Sequence, residues 1–345
     1  MTSKIYLDRI RTVFQANDVD ALIIEKPIDL FYLTGLKLSL GTLLIFKNGA
    51  RLFVDGRYLG FAKKHSPCPA ELTKAESIVK SLSPYKKIGF DSFDTSYSRW
   101  QALEKITKKQ LTPVPKPTDS ARSVKSPAEI KALKKSAKLL WSCYLHLKKS
   151  LKTGITEKEA AALFEIYALK NGAEKMAFEP IVAFGKNTAY PHYRPANTKL
   201  KKGDNVLLDL GVVVDHYHSD MTRTFFFGPP DPRLVVIEAV VKKAHDEALK
   251  LCRPGITAGE LDKAACRVIE KAGLEKYLAH SLGHGVGLEI HEFPRLKFQG
   301  ENSDAVLKVG MVITIEPGLY WEGVGGCRYE DTIVITRKGY ENWYP

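Results

Sequence analysis

This chain contains the same pattern twice. Gly154-Ile155-Thr156 with Glu159 recurs as Gly255-Ile256-Thr257 with Glu260, and each copy runs on to a Lys-x-Gly ending, Lys170 to Gly172 and Lys271 to Gly273, all at an offset of 101 residues. In both copies the Thr and the following Glu form the reciprocal side-chain pair that starts a helix, which the Gly then ends. Leu200-Lys201-x-Gly203 and Leu307-Lys308-x-Gly310 each open an apolar strand, reaching Asp209 in one copy and Glu316 in the other at an offset of 107. His192 with Pro195 matches His291 with Pro294 at an offset of 99. Helix starts, acids and imidazoles that coincide across two copies imply two related halves, each a helix pair with a sheet. The expected class is α+β.

The first copy carries an unusual pair of strands. Val206 to Val214 and Tyr217 to Phe227 are apolar runs, each with one carboxylate, Asp209 and Asp220, where a branched or aromatic residue would pack better. If the chain reverses near Val214 and Asp215, the two acids face each other with Cβ atoms about 5 Å apart. Such a pair needs a shared proton or an intervening cation. Two surface aspartates beside a turn are the plainer alternative, and the repeat argues against it. Halves packed about a pseudo-twofold axis bring Glu316 and Glu330 against Asp209 and Asp220. His284, among Gly283, Gly285 and Gly287, supplies an imidazole where a metal or substrate can approach the backbone closely.

Oxygen-rich ligation with one imidazole suits two divalent ions, Mn or Co and also Zn or Fe, held roughly 3.5 Å apart by bridging carboxylates. Such a pair makes water acidic enough to attack near neutral pH. Calcium alone would favour an EF-hand loop, which the sequence lacks, and neither GxSxG nor a Cys/His motif offers a nucleophile. His192 and His291 are placed to donate hydrogen bonds to an oxyanion.

At 345 residues two domains are expected. Residues 1–120 read as an α/β domain. An amphipathic segment, Tyr6 to Gln15, leads to a strand at Ala21 to Ile24, and Gly41 to Phe46 and Arg51 to Val54 flank Asn48-Gly49 as a hairpin. Helices follow at Gly56 to Lys64 and Tyr97 to Lys105, with strands at Lys87 to Asp91 and Lys109 to Val114. Pro113 to Thr118, PVPKPT, reads as a linker to residues 121–345. A net charge of +13 suggests acidic partners, and Lys116 to Lys152 holds ten Lys or Arg against Asp119 and Glu129. Its lysines alternate with Ile130, Leu133, Ala137 and Leu139 at helical spacing, however, as on the wet face of a helix. With no zinc-finger, RNP-like or recognition-helix pattern, nucleic acid is not expected as a partner. Five scattered cysteines without CxxC spacing, an N-terminus lacking an export-type apolar core and no membrane-length run point to a soluble, unexported, cytoplasmic protein. A homodimer is expected.

Asp209-x-Gly211, Ser219-Asp220-x-Thr222-Arg223-Thr224, Gly283-His284-Gly285-x-Gly287 through His291-Glu292-x-Pro294, Glu316-Pro317-Gly318 and Gly326-x-Arg328-x-Glu330-Asp331-Thr332 form an ordered set. It resembles the pita-bread metallopeptidases: Xaa-Pro dipeptidases (prolidases), Xaa-Pro aminopeptidases (aminopeptidase P) and methionine aminopeptidases. The resemblance covers essentially the whole C-terminal region. It implies that Asp209, Asp220, His284, Glu316 and Glu330 are the complete dimetal ligand set, that Glu316 also shuttles a proton, and that His192 and His291 bind substrate. Tyr32-Leu33-Thr34-Gly35 within the α/β pattern resembles the creatinase-type N-domain of the proline-specific branch, which methionine aminopeptidases generally lack. The implied substrates are short peptides with proline second. Tyr193 and Phe293 would offer aromatic surface to the ring, Arg295 would grip a dipeptide carboxylate, and Arg328 would join the substrate contacts. Dipeptidase is slightly favoured over aminopeptidase. A non-catalytic binding module and a metal-free creatinase-like hydrolase of a small amidine are the rival classes, and both conflict with a complete ligand set.

Overall fold

Ala21–Ile24, a continuous apolar run, is buried on both faces, as a central strand should be. It lies inside a six-stranded sheet ordered Ala70–Leu72, Gly49–Val54, Thr42–Phe46, Ala21–Ile24, Ile88–Asp91, Leu111–Val114. The inner neighbours on one side pair antiparallel, whereas Ile88–Asp91 and Leu111–Val114 add in parallel. Helices Gly56–His65 and Tyr97–Thr107 form where their spacing predicts them, started by Asp55 and Ser96, whose side chains accept from Arg57 N and Arg99 N. The computed structural model describes residues 9–10, 12–300 and 302–345, and this sheet with its helices belongs to the first of two units, Met1–Arg122 and Ser123–Pro345. Of the amphipathic N-terminal segment, helix Thr12–Asn17 is seen, while residues 6–8 and Arg11 lie outside the described residues.

Two local expectations shift in this unit. Phe46 pairs with Gly49, so the hairpin loop is Lys47-Asn48 rather than Asn48-Gly49; this register lets the Phe46 ring stack on Tyr85 at 4.7 Å. The proline-rich stretch is not a loose spacer. Pro113 sits within the strand Leu111–Val114 at the end of the sheet, where a missing N–H is tolerated. Beyond it, Thr118 Oγ1 and Arg122 Nη1 donate to the buried Asp29 carboxylate at 2.7 and 2.9 Å.

The second unit shows the repeat directly. Helices Pro127–Ser150 and Glu157–Lys170 back the sheet Met221–Phe227, Asp204–Leu210, Ile181–Phe184. Helices Pro232–Leu251 and Ala258–Lys271 back the sheet Glu292–Leu296, Gly283–Gly285, Val312–Ile315, Asp331–Thr336, Gly339–Asn342. Both capping boxes form: Thr156 and Thr257 each accept from the Glu N–H at 3.2 Å, and Glu159 and Glu260 each accept from the Thr N–H at 2.8 Å. The chain before each helix is tied in the same way, Gly154 N to Leu200 O and Gly255 N to Leu307 O, both 2.9 Å. Phe164, Phe184, Val206 and Leu208 centre one core, and Val241, Leu261, Ile313 and Ile333 the other. Leu133, Ala137 and Leu140 are buried on the long helix while Lys131, Lys135 and Lys138 are exposed. These lysines thus form a solvated helix face, whereas Arg122 and Lys125, earlier in the basic stretch, are buried.

The carboxylate-bearing hairpin turns later than expected. Asp215 and His216 form its two-residue turn with φ of 50° and 70°, the left-handed pair that matches strand twist. Asp209 therefore pairs with Thr222 and not with Asp220. Moving the partner by two residues keeps both acids on one face, as diagonal neighbours.

Because the two helix starts share their hydrogen bonds and exposure, Thr156→Ala and Thr257→Ala should each lower stability by about 1 kcal/mol. Urea denaturation of the metal-free protein checks this; a clear inequality between the two would show that the copies are not energetically equivalent.

Candidate metal centre

Alternation along Met221–Phe227 turns every second residue towards the second half of the unit. Asp220 lies just before this strand, Asp209 lies on its neighbour, and both are buried. From the other copy, Glu316 follows Val312–Ile315, Glu330 precedes Asp331–Thr336, and His284 lies in Gly283–Gly285. Cross-half hydrogen bonds hold the two sets together. Glu330 N donates to Thr222 O at 3.1 Å, Arg328 N to Thr224 Oγ1 at 3.2 Å, and Thr332 Oγ1 to Asp220 O at 2.8 Å.

His284 Nε2 stands 3.3 Å from Glu316 Oε1 and 3.6 Å from Asp220 Oδ2. Ligand atoms of Asp220, His284 and Glu330 lie within 4.8 Å of one another. Asp209 forms a close ion pair with Arg328 through Oδ2, while its buried Oδ1 has no hydrogen-bond partner among the described residues. All five expected ligands are thus brought together. Three of them are also held from behind. Thr222 Oγ1 donates to Glu330 Oε2 at 2.7 Å, Thr314 Oγ1 to Glu316 Oε1 at 3.3 Å, and His284 N to Thr314 Oγ1 at 3.0 Å. Gly283 is required here, because a Cβ would collide with the Thr314 carbonyl. Arg223, stacked on Tyr329, donates to Glu330 O at 2.6 Å and Asp331 Oδ1 at 2.7 Å.

The electrostatics are those of a site short of positive charge. Burial, then the charges of neighbouring acids, push Asp220 and Glu330 well above the usual carboxylate range. Burial also raises Asp209 despite Arg328. Burial opposes charge on His284 and Glu316 too, yet their mutual hydrogen bond and attraction prevail, raising His284 and drawing Glu316 down to about 2. His284 Nδ1 lies 3.0 Å from Gly285 O; donating there, it leaves Nε2 to face the acids, the orientation of a metal-binding imidazole. An unpartnered buried oxygen, acids driven towards protonation and an oriented imidazole fit divalent cations.

Around this cluster the expected substrate residues divide. The exposed His291 ring meets His284 edge-on at 4.4 Å, and desolvation, then the His284 charge, hold its pKa down to about 4. His192 is exposed and close enough to influence both His280 and His291. Arg295 is exposed opposite His284 in the strand register, with Nε 3.4 Å from Ser281 Oγ. Three others differ from expectation. Tyr193 packs on Ile181, Ala183 and Leu207, and its hydroxyl donates to Glu157 at 2.9 Å. Phe293 packs against the core of the second half. Arg328 is buried, with Nη2 on Asp209, Nη1 on Tyr320 Oη at 2.6 Å and Nε on Thr222 Oγ1 at 3.0 Å, so it serves as a counter-ion within the cluster. Sequence reasoning missed His280 and Tyr320, whose Nε2 and Oη lie 2.7 Å apart, and the threonines that steady the acids. The alternation Asp220, Thr222, Thr224 was a readable signal for the threonines.

Residues 131–337 match the model for metallopeptidase family M24, and residues 7–124 match the creatinase/prolidase N-terminal domain. The chain is 38% identical to a Xaa-Pro dipeptidase of Pyrococcus horikoshii, over 94% of this chain and 92% of the relative. The structure of a Xaa-Pro dipeptidase from Bacillus anthracis superposes with a TM-score of 0.94 at 31% identity, covering 99% of this chain and 97% of that one. An X-Pro aminopeptidase from Thermotoga maritima superposes at 0.86 with 29% identity, over 97% of each chain. With a creatinase-type N-terminal domain ahead of a pita-bread domain, the chain belongs to metallopeptidase family M24.

Proposed function

We propose that this chain is a dimetal exopeptidase that hydrolyses the bond between an N-terminal residue and a following proline, with Xaa-Pro dipeptides as its preferred substrates. The observation that carries the reading is the buried cluster of Asp209, Asp220, His284, Glu316 and Glu330, with more carboxylates than adjacent cations and two histidines at its margin. Relatives named Xaa-Pro dipeptidase, matched along nearly the whole chain, support the substrate class. Mn or Co suits this mixed oxygen and imidazole set, and Zn or Fe is the alternative.

Two ions bound by these five residues would polarise the scissile carbonyl and make the attacking water more acidic. Glu316, steadied by Thr314, takes the proton from that water on a carboxylate oxygen and delivers it to the departing proline nitrogen. His192 and His291 donate to the carbonyl oxygen as negative charge gathers there. Arg295 offers an exposed guanidinium to the carboxylate of a dipeptide. Since the bond before proline has no N–H, a site that makes no use of one admits it. Cytoplasmic location and a homodimer complete the reading; the five cysteines are free thiols, which suits a reducing compartment.

The metal-loaded protein should hydrolyse Ala-Pro and act far less on Ala-Ala, measured by release of free amino acid. Equal rates would contradict the proline-specific reading, and a preference for Met-Ala-Ser would move the chain to the methionine aminopeptidase branch. Arg295→Ala should hurt Ala-Pro much more than Ala-Pro-Ala, whose carboxylate lies one residue further out; equal losses would remove Arg295 from carboxylate recognition.

His291→Ala should lower kcat on the order of a hundredfold while elemental analysis finds the metal content of the parent. If metal leaves with the imidazole, His291 is a ligand.

A further inference from the structure

His192 and His291 occupy matched positions in the repeat, yet each is exposed and sits on a turn rather than on a strand or helix. A donor meant for a developing charge must be held still, so the turn itself must be anchored. At the same offset of 99, the residues that follow them also match, Tyr193 and Glu292. Each reaches inward to a buried partner of the opposite hydrogen-bonding sense. Tyr193 Oη donates to Glu157 Oε2 at 2.9 Å. Glu292 Oε2 accepts from Lys125 Nζ at 2.9 Å, with side chains only 4% and 1% exposed.

Glu157 is fully buried at the start of helix Glu157–Lys170, and its position in the second copy is taken by Ala258. Besides Tyr193, its carboxylate accepts from Phe184 N at 2.8 Å, Asn187 Nδ2 at 2.9 Å and Ala196 N at 3.1 Å. These donors lie before and after His192, so one carboxylate closes the loop that presents the imidazole. In the second half Glu292 Oε1 also accepts from Glu289 N at 3.0 Å, bracing the turn on the near side of His291. The two copies keep the histidine and its anchoring position but exchange donor for acceptor.

We propose that Glu157 and Lys125 are positioning residues for His192 and His291, acting through Tyr193 and Glu292; the inference rests on the reading of those histidines as oxyanion donors. Glu157 and Lys125 are both buried behind the turns that carry the histidines. Glu157→Gln keeps the side-chain shape while turning one acceptor into a donor among donors. It should lower kcat/KM for Ala-Pro roughly tenfold to a hundredfold, mainly through kcat, with metal content unchanged and faster hydrogen exchange at the Phe184 and Ala196 amides. In a His192→Ala background the same substitution should cost no more than about twofold, because no imidazole remains to be misplaced. Lys125→Met should behave in the same way against His291→Ala, and Glu292→Gln should restore part of the loss by removing the stranded buried charge. If Glu157→Gln prevents folding, Asn187→Ala removes one donor to the carboxylate and carries the same prediction with a smaller loss. Equal losses with and without the imidazole, or unchanged amide exchange, would overturn the proposal. A His192→Ala variant with parental kcat/KM would overturn the oxyanion reading itself, so the two failures are distinguishable.

Discussion

Carboxylates shut away from water repel one another, and the C-terminal unit is built around that repulsion. Asp209, Asp220, Glu316 and Glu330 converge with Arg328 and His284 beside them, more acids than adjacent cations among the described residues. Two unit charges about 4 Å apart interact by about 4 kcal/mol at an effective dielectric of 20. A few such pairs rival the ~5–15 kcal/mol that holds an ordinary domain folded. Protons or metal ions must therefore enter the cluster. The surrounding hydroxyl donors, Thr222 and Thr314, orient Glu330 and Glu316 without cancelling their charge.

The duplicated half explains how a chain can assemble such a site. Each helix-pair-and-sheet unit brings two acids to its sheet, Asp209 and Asp220 in one and Glu316 and Glu330 in the other. Joining two copies through bonds such as Glu330 N to Thr222 O places both sets of acids in one buried space. Duplication also supplies two histidines on matching turns. Their anchors differ, Glu157 in one copy and Lys125 in the other, so matched turns are held by different chemistry.

Much of this was legible in the residues. The GITxxE echo gave both helix starts, the offsets paired Asp209 with Glu316, and the glycines round His284 marked a close approach that a Cβ would forbid. What escaped depends on contacts between distant segments. A turn at Asp215-His216 slid the register so that Asp209 faces Thr222. Arg328 and Tyr193, plausible on a surface by composition, were drawn inward by Asp209 and Glu157. His280 and Tyr320 lie forty residues apart, and nothing local in either segment announces that they meet. The prolines at 113 to 118 resembled a linker because their composition cannot reveal Asp29, which holds the segment down.

The central claim, that this cluster is an incomplete charge assembly awaiting cations, is tested most directly by comparing Asp220→Asn with the parent protein, with and without metal. Urea denaturation and elemental analysis are the readouts. Without metal, the variant should be the more stable of the two at neutral pH, because it removes one of the mutually repelling charges while preserving shape. With saturating Mn²⁺ the order should reverse, and the variant should retain fewer ions than the parent. A metal-free variant that is less stable than the parent and still binds a full complement of ions would contradict the account.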